Sequence, residues 1–117
     1  MPLRRLVHVG DELGSSVATY LTFSSNLTEG GALLASVTIT NRASARRLVS
    51  VFFIASGGSA ADNNCIFEEY VPPNRSVGVP GGPWWGNSSA FVQATSDTAG
   101  SAVGIRLTAL EEFHAGA

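Results

Sequence analysis

A chain of 117 residues holds one domain, since single domains commonly run to roughly 100 to 150 residues and two autonomous cores do not fit. Hydrophobic residues make up 44% and can fill a modest core, but only 14% are charged, so Ser, Thr, Asn, Gly and small apolar groups must build a surface suited to being covered. A net charge of −2, with arginine the sole basic residue type, lacks the positive field that phosphate backbones require and excludes nucleic acid as a main partner.

Taken in order, the chain opens on Met1-Pro2-Leu3-Arg4-Arg5-Leu6-Val7-His8-Val9-Gly10, whose apolar stretch is too short for a secretory signal. Strands are predicted over Arg4 to Val9, Ser16 to Phe23 and Leu33 to Thr40; in the third, Ala35, Val37 and Ile39 alternate with Ser36, Thr38 and Thr40. Asn41 to Arg46 has the chemistry of a hairpin connection, and Arg42, Arg46 and Arg47 make a basic cluster there, either a solvated turn or a set of guanidinium groups for a partner's carboxylates. The fourth strand, Arg47 to Ala55, is apolar on both faces, with Leu48, Phe52 and Ile54 on one and Val49, Val51 and Phe53 on the other. A sandwich covers one side of a sheet, so the second face needs the chain's own segments or, as we favour, partial cover by a neighbouring chain.

After a polar loop from Gly57 to Asn64, further strands are expected over Cys65 to Val71 and Ser76 to Val79. Gly81-Gly82-Pro83-Trp84-Trp85-Gly86-Asn87 follows as a loop. Two neighbouring tryptophans on an extended chain face opposite ways, so one core can take only one of them. The other is an end cap, an interface anchor or a sugar-stacking platform. Strands over Ala90 to Thr95 and Ala102 to Leu110 complete a set of about eight, which makes residues 1–117 one all-β domain, an antiparallel β-sandwich of jelly-roll or immunoglobulin-like order. No run reaches the ~18 apolar residues of a spanning helix, so no membrane partner is expected.

Catalytic chemistry finds little to work with. His8 and His114 stand near opposite ends and no G-x-S-x-G accompanies them. Glu111, Glu112 and His114, or His8 with Asp11 and Glu12, fall in turns or tails without a rigid ligand scaffold, and Glu68 and Glu69 point to opposite faces. Cys65 is alone, which rules out an intrachain disulfide and a Cys-based zinc pattern. A P-loop is impossible without lysine. The expectation is a protein without catalytic, cofactor-binding or metal-ligating residues.

The runs Ser36-Val37-Thr38-Ile39-Thr40-Asn41-Arg42, Val49-Ser50-Val51-Phe52-Phe53-Ile54-Ala55-Ser56-Gly57-Gly58-Ser59-Ala60-Ala61-Asp62-Asn63-Asn64 and Pro72-Pro73-Asn74-Arg75-Ser76-Val77 resemble the strand ends and turns of small β-sandwich virion proteins of tailed bacteriophages. The likeness covers about residues 33 to 80, with a looser match through the last strand. Beyond it the chain departs, carrying Pro83-Trp84-Trp85-Gly86 where related chains often have an L-x-x-G-D-x-I turn. The resemblance implies a structural role without catalysis. The chain would be made in the host cytoplasm and placed on the outside of the phage head, as a decoration or cement protein on the major capsid protein. The alternative is a tail, baseplate or fibre component whose aromatic loop binds a host glycan. On the decoration reading Trp84, Trp85, Phe53, Arg42, Arg46 and Arg47 are the expected contacts. Symmetric packing into dimers or trimers is expected with them, as are chain ends that something holds in place.

Overall fold

Apolar residues recurring at every second position give each strand one apolar face, and in this chain two sheets close those faces on each other. The computed structural model describes residues 3–97 and 102–114 and contains nine strands. They are β1 (Leu3–Glu12), β2 (Ala18–Thr22), β3 (Leu27–Asn41), β4 (Arg47–Ile54), β5 (Cys65–Val71), β6 (Arg75–Gly78), β7 (Trp84–Gly86), β8 (Phe91–Ser96) and β9 (Val103–Phe113). One short 3-10 turn, Asp62–Asn64, precedes β5. The expectation about tied-down ends falls on residues 1–2 and 115–117, outside those described.

One sheet runs β1-β9-β3-β6, with β7 pairing a further stretch of β3, and the other runs β2-β8-β4-β5. All pairs are antiparallel. Only β4 and β5 are sequence neighbours paired in the same sheet; most other connections cross from one sheet to the other. This order is a jelly roll, and it decides against the immunoglobulin-like alternative. Between the sheets lie Phe23, Leu34, Val37, Ile39, Val49, Val51, Val92, Ile105 and Leu107, all fully or almost fully buried.

The sequence places Asn41 to Arg46 in a hairpin, whereas the chain here leaves β3 in one sheet for β4 in the other. The bracket for that crossing is Asn41, whose side chain is wholly buried. Its Nδ2 donates to the carbonyls of Ala45 at 3.0 Å, Val71 at 3.0 Å and Pro72 at 3.3 Å, and its Oδ1 accepts from the Ala43 amide at 2.9 Å. Asn41→Ala is expected to lower unfolding free energy by about 2 kcal/mol in a urea titration, because it strands buried carbonyls.

The second face of β4 is closed partly from within. Ile54 is buried, and Gly58 of the following loop lies so close that a Cβ there would come 3.0 Å from its Cγ2. Leu48 and Phe52 remain half-buried. Cover by the chain's own segment therefore replaces a neighbouring chain at Ile54.

Candidate functional site

Four apolar doublets break the alternation of the five-stranded sheet: Leu6-Val7 in β1, Leu33-Leu34 in β3, Trp84-Trp85 in β7 and Ala109-Leu110 in β9. On a strand each doublet must send one residue inward and one outward. Leu34 and Ala109 are fully buried, and Val7 and Trp84 pack against the core. Strand register then aligns the outward members, since Leu6 faces Leu110, Leu110 faces Leu33, and Leu33 faces Trp85. The result is one apolar row across four strands, about 15 Å long at the usual strand spacing.

The row lies on the solvent side and contributes nothing to the core. Leu6 is 59% and Trp85 67% exposed, while Leu33 and Leu110 are half-buried. Its borders are polar. On one side Arg4 Nε donates to Glu112 Oε2 at 3.1 Å, and on the other stand His8, Thr108 and Ser36, with Thr108 Oγ1 3.4 Å from His8 Nδ1. Two shallow grooves flank Trp85. One, of about 270 Å³, runs over Leu33 and Leu110 beside Gly30 and Gly31, and the other, of about 450 Å³, separates Trp85 from Phe53 and Ala55. An apolar centre with a polar rim is the anatomy of a protein-docking patch.

Trp85 is held by main-chain pairing. The Trp pair forms β7 on the edge of β3, not the loop expected from its Gly and Pro neighbours, and Gly82 lies against the Trp84 ring, where a Cβ would come within 2.7 Å. Just before the residues that pair with β7, β3 carries a bulge, for pairing with β9 jumps from Leu27–Phe113 to Ala32–Glu111. The turn after β7 is stitched to that bulge. Gly30 N donates to Asn87 Oδ1 at 2.8 Å, Leu27 N donates to Ser88 Oγ at 2.8 Å, and Ser88 Oγ donates back to Leu27 O at 3.2 Å. Asn87 Oδ1 and Ser88 Oγ, two acceptors beside Trp85, are thus engaged with the backbone.

Behind the row, Glu111 fixes β1 and the segment just after β2 to β9. Its side chain is almost fully buried; the Ser24 amide donates to Oε2 at 2.6 Å, and Arg5 donates to Oε1 through both Nε, at 2.9 Å, and Nη2. Burial alone would raise the Glu111 pKa, but the Ser24 bonds and the Arg5 guanidinium outweigh it and hold the carboxyl below its ordinary value.

The other expected contacts disperse. Trp84 faces the core, and Phe53 is half-buried with its ring centroid 5.9 Å from that of Phe23 and lines the groove beside Trp85. The arginines separate because the crossing between sheets splits them. Arg42 approaches Glu12 at 3.7 Å, Arg46 stacks over the Tyr70 ring at 4.2 Å, and half-buried Arg47 has an Nε without a hydrogen-bond partner among the described residues. Glu111 and Glu112 lie on opposite faces of β9, and among the described residues no three His, Cys, Asp or Glu side chains gather as a metal site. Leu6, Leu33 and Leu110, which the register aligns with Trp85, are residues that the sequence reading did not single out. Their signal is the same doublet logic that singles out the tryptophans.

No family model and no curated protein matches the chain. Its fold does have counterparts among solved structures. A chain of the acidic stable capsid structure of Helicobacter pylori bacteriophage KHP30 is 15% identical, with a TM-score of 0.57 over 96% of this chain and 88% of that one. A chain of Bacillus endospore appendages, a family of disulfide-linked pili, is 10% identical, with a TM-score of 0.55 over 97% of this chain and 89% of that one. These likenesses establish a shared fold.

Proposed function

We propose that the protein is a structural component of a phage particle, a decoration protein that lies on the major capsid protein through the outer face of its five-stranded sheet. The carrying observation is the row Leu6, Leu110, Leu33 and Trp85, apolar surface that a filled core leaves outside. Its fold counterparts in a phage capsid and in an appendage support a role in assembly. The mechanism is burial repeated over many copies. A standard interface of about 1,600 Å² per contact stabilises a shell through number without requiring any single contact to be strong.

The binding residues of this reading are Trp85 with the three leucines. Imaging of particles from a phage that encodes this chain tests it. Density for the jelly roll over capsid subunits, absent when the chain carries Trp85→Ala, is the expected result. Density on the tail or fibre instead, or Trp85-dependent binding of the isolated domain to a glycan array, would replace the decoration role with host recognition.

A further inference from the structure

β1 offers the longest free edge among the described residues. All ten of its residues pair with β9 on one side, and no strand pairs on the other. None is buried: Val7 and Val9 are half-buried and the rest exposed. An open edge of this length is a template for another strand, and edges are commonly blunted by scattered charge. Here the charges are sorted by sign instead, with Arg4 and Arg5 near one end and Asp11 and Glu12 at the other.

That order is self-complementary when two copies run antiparallel about a two-fold axis. With His8 on the axis, Arg4 meets Glu12 of the second copy, Arg5 meets Asp11, Leu6 meets Gly10 and Val7 meets Val9. The match holds face by face, because Arg4 and Glu12 lie on one side of the sheet and Arg5 and Asp11 on the other. Only alternate residues turn their N–H and C=O groups to a free edge, so the axis passes through a residue; moving it to Val7 or Val9 separates every charge from its opposite. A parallel arrangement in register would stack arginine on arginine. Arg4 and Arg5 already hold Glu112 and Glu111, yet both side chains are well exposed, and a guanidinium has five donors to share.

We infer that the chain forms a two-fold dimer by pairing the free edge of β1 with β1 of a second copy, His8 on the axis, so that two five-stranded sheets become one. The dimer is independent of the capsid reading, since it uses a sheet edge whereas the apolar row is centred on the sheet's face, and each can fail without the other.

Sedimentation equilibrium of the full chain tests the pairing. The wild type is expected to be a concentration-dependent dimer. The double change Asp11→Arg, Glu12→Arg makes all the cross-strand ion pairs like-charged and should weaken the dimer by about tenfold or more, with circular dichroism unchanged. In a Cys65→Ser background, His8→Cys should oxidise to a linked dimer, because directly opposed residues lie roughly 4.5 to 5.5 Å apart at Cα, within disulfide reach. Leu6→Cys, opposite Gly10 of the second copy, should stay unlinked. A monomer at every concentration, a dimer indifferent to the charge reversal, or linkage through Leu6→Cys rather than His8→Cys would each overturn the proposal.

Discussion

Trp84→Ala is expected to remove about 4 kcal/mol of folding stability, while Trp85→Ala leaves stability within about 0.5 kcal/mol of the parent and instead weakens docking. The contrast follows from pleating alone. Trp84 and Trp85 are bonded neighbours in β7, but the first packs on the core and the second stands 67% exposed at the end of the apolar row. Truncating the first opens a cavity lined by the core. Truncating the second removes surface that water already reached, so the loss appears only when a partner covers it; about 2 kcal/mol or more, some thirtyfold in affinity, is the usual scale for a buried aromatic anchor. Urea unfolding and binding, measured on the same two variants, check both halves. If Trp85→Ala unfolded the protein, the row would have to belong to the core.

Glu111→Gln is expected to lower stability by about 3 kcal/mol at pH 7, the range for losing charge-assisted hydrogen bonds at a buried carboxylate. Arg5 keeps solvent access after the change, which holds the cost below that of stranding a buried cation. The pH dependence has a definite sign. The folded pKa of Glu111 lies below the ordinary glutamate value, so the unfolded chain binds the proton more readily. The carboxylate's contribution is then complete above about pH 5.5 and disappears as pH falls through the folded pKa. Wild type and variant should differ at neutral pH and converge in acid. Paired urea titrations between pH 7 and pH 3 give the difference directly, and a gap that widened in acid would contradict the assignment.

Alternation of apolar and polar residues made most strands legible. Cys65–Val71 coincides with its predicted span, and Val37 and Ile39 lie in the core, whereas Ala35, grouped with them by alternation, is exposed at the register shift between Leu34 and Ser36. The start of β3 escaped because Glu29-Gly30-Gly31 has turn chemistry. In the fold this stretch is a bulge rather than an end, and Gly31 sits so close to Thr28 and the Glu112 carbonyl that a Cβ would come within 2.6 to 2.8 Å. β7 escaped for a similar reason, being three residues long among Gly and Pro and existing only because the edge of β3 is there to pair with it. Alternation also states which residues face inward without stating which sheet they belong to. The arginines of the β3–β4 connection therefore looked like one cluster and turned out to be distributed across the crossing. The opposed directions of Trp84 and Trp85 were readable from adjacency, and the same rule applied to Leu6-Val7, Leu33-Leu34 and Ala109-Leu110 yields the rest of the row. What no local pattern contains is the register that lines them up, because it depends on pairings between residues as far apart as Leu6 and Leu110.

The ladder between β7 and β3 also has a kinetic side. An indole on a mobile loop must be caught and ordered by whatever it meets, but Trp85 is already aimed by the backbone on which it sits. Little conformational freedom is left to lose on encounter. Substitutions along the row should therefore shorten the residence time of a bound complex while hardly altering how fast it forms.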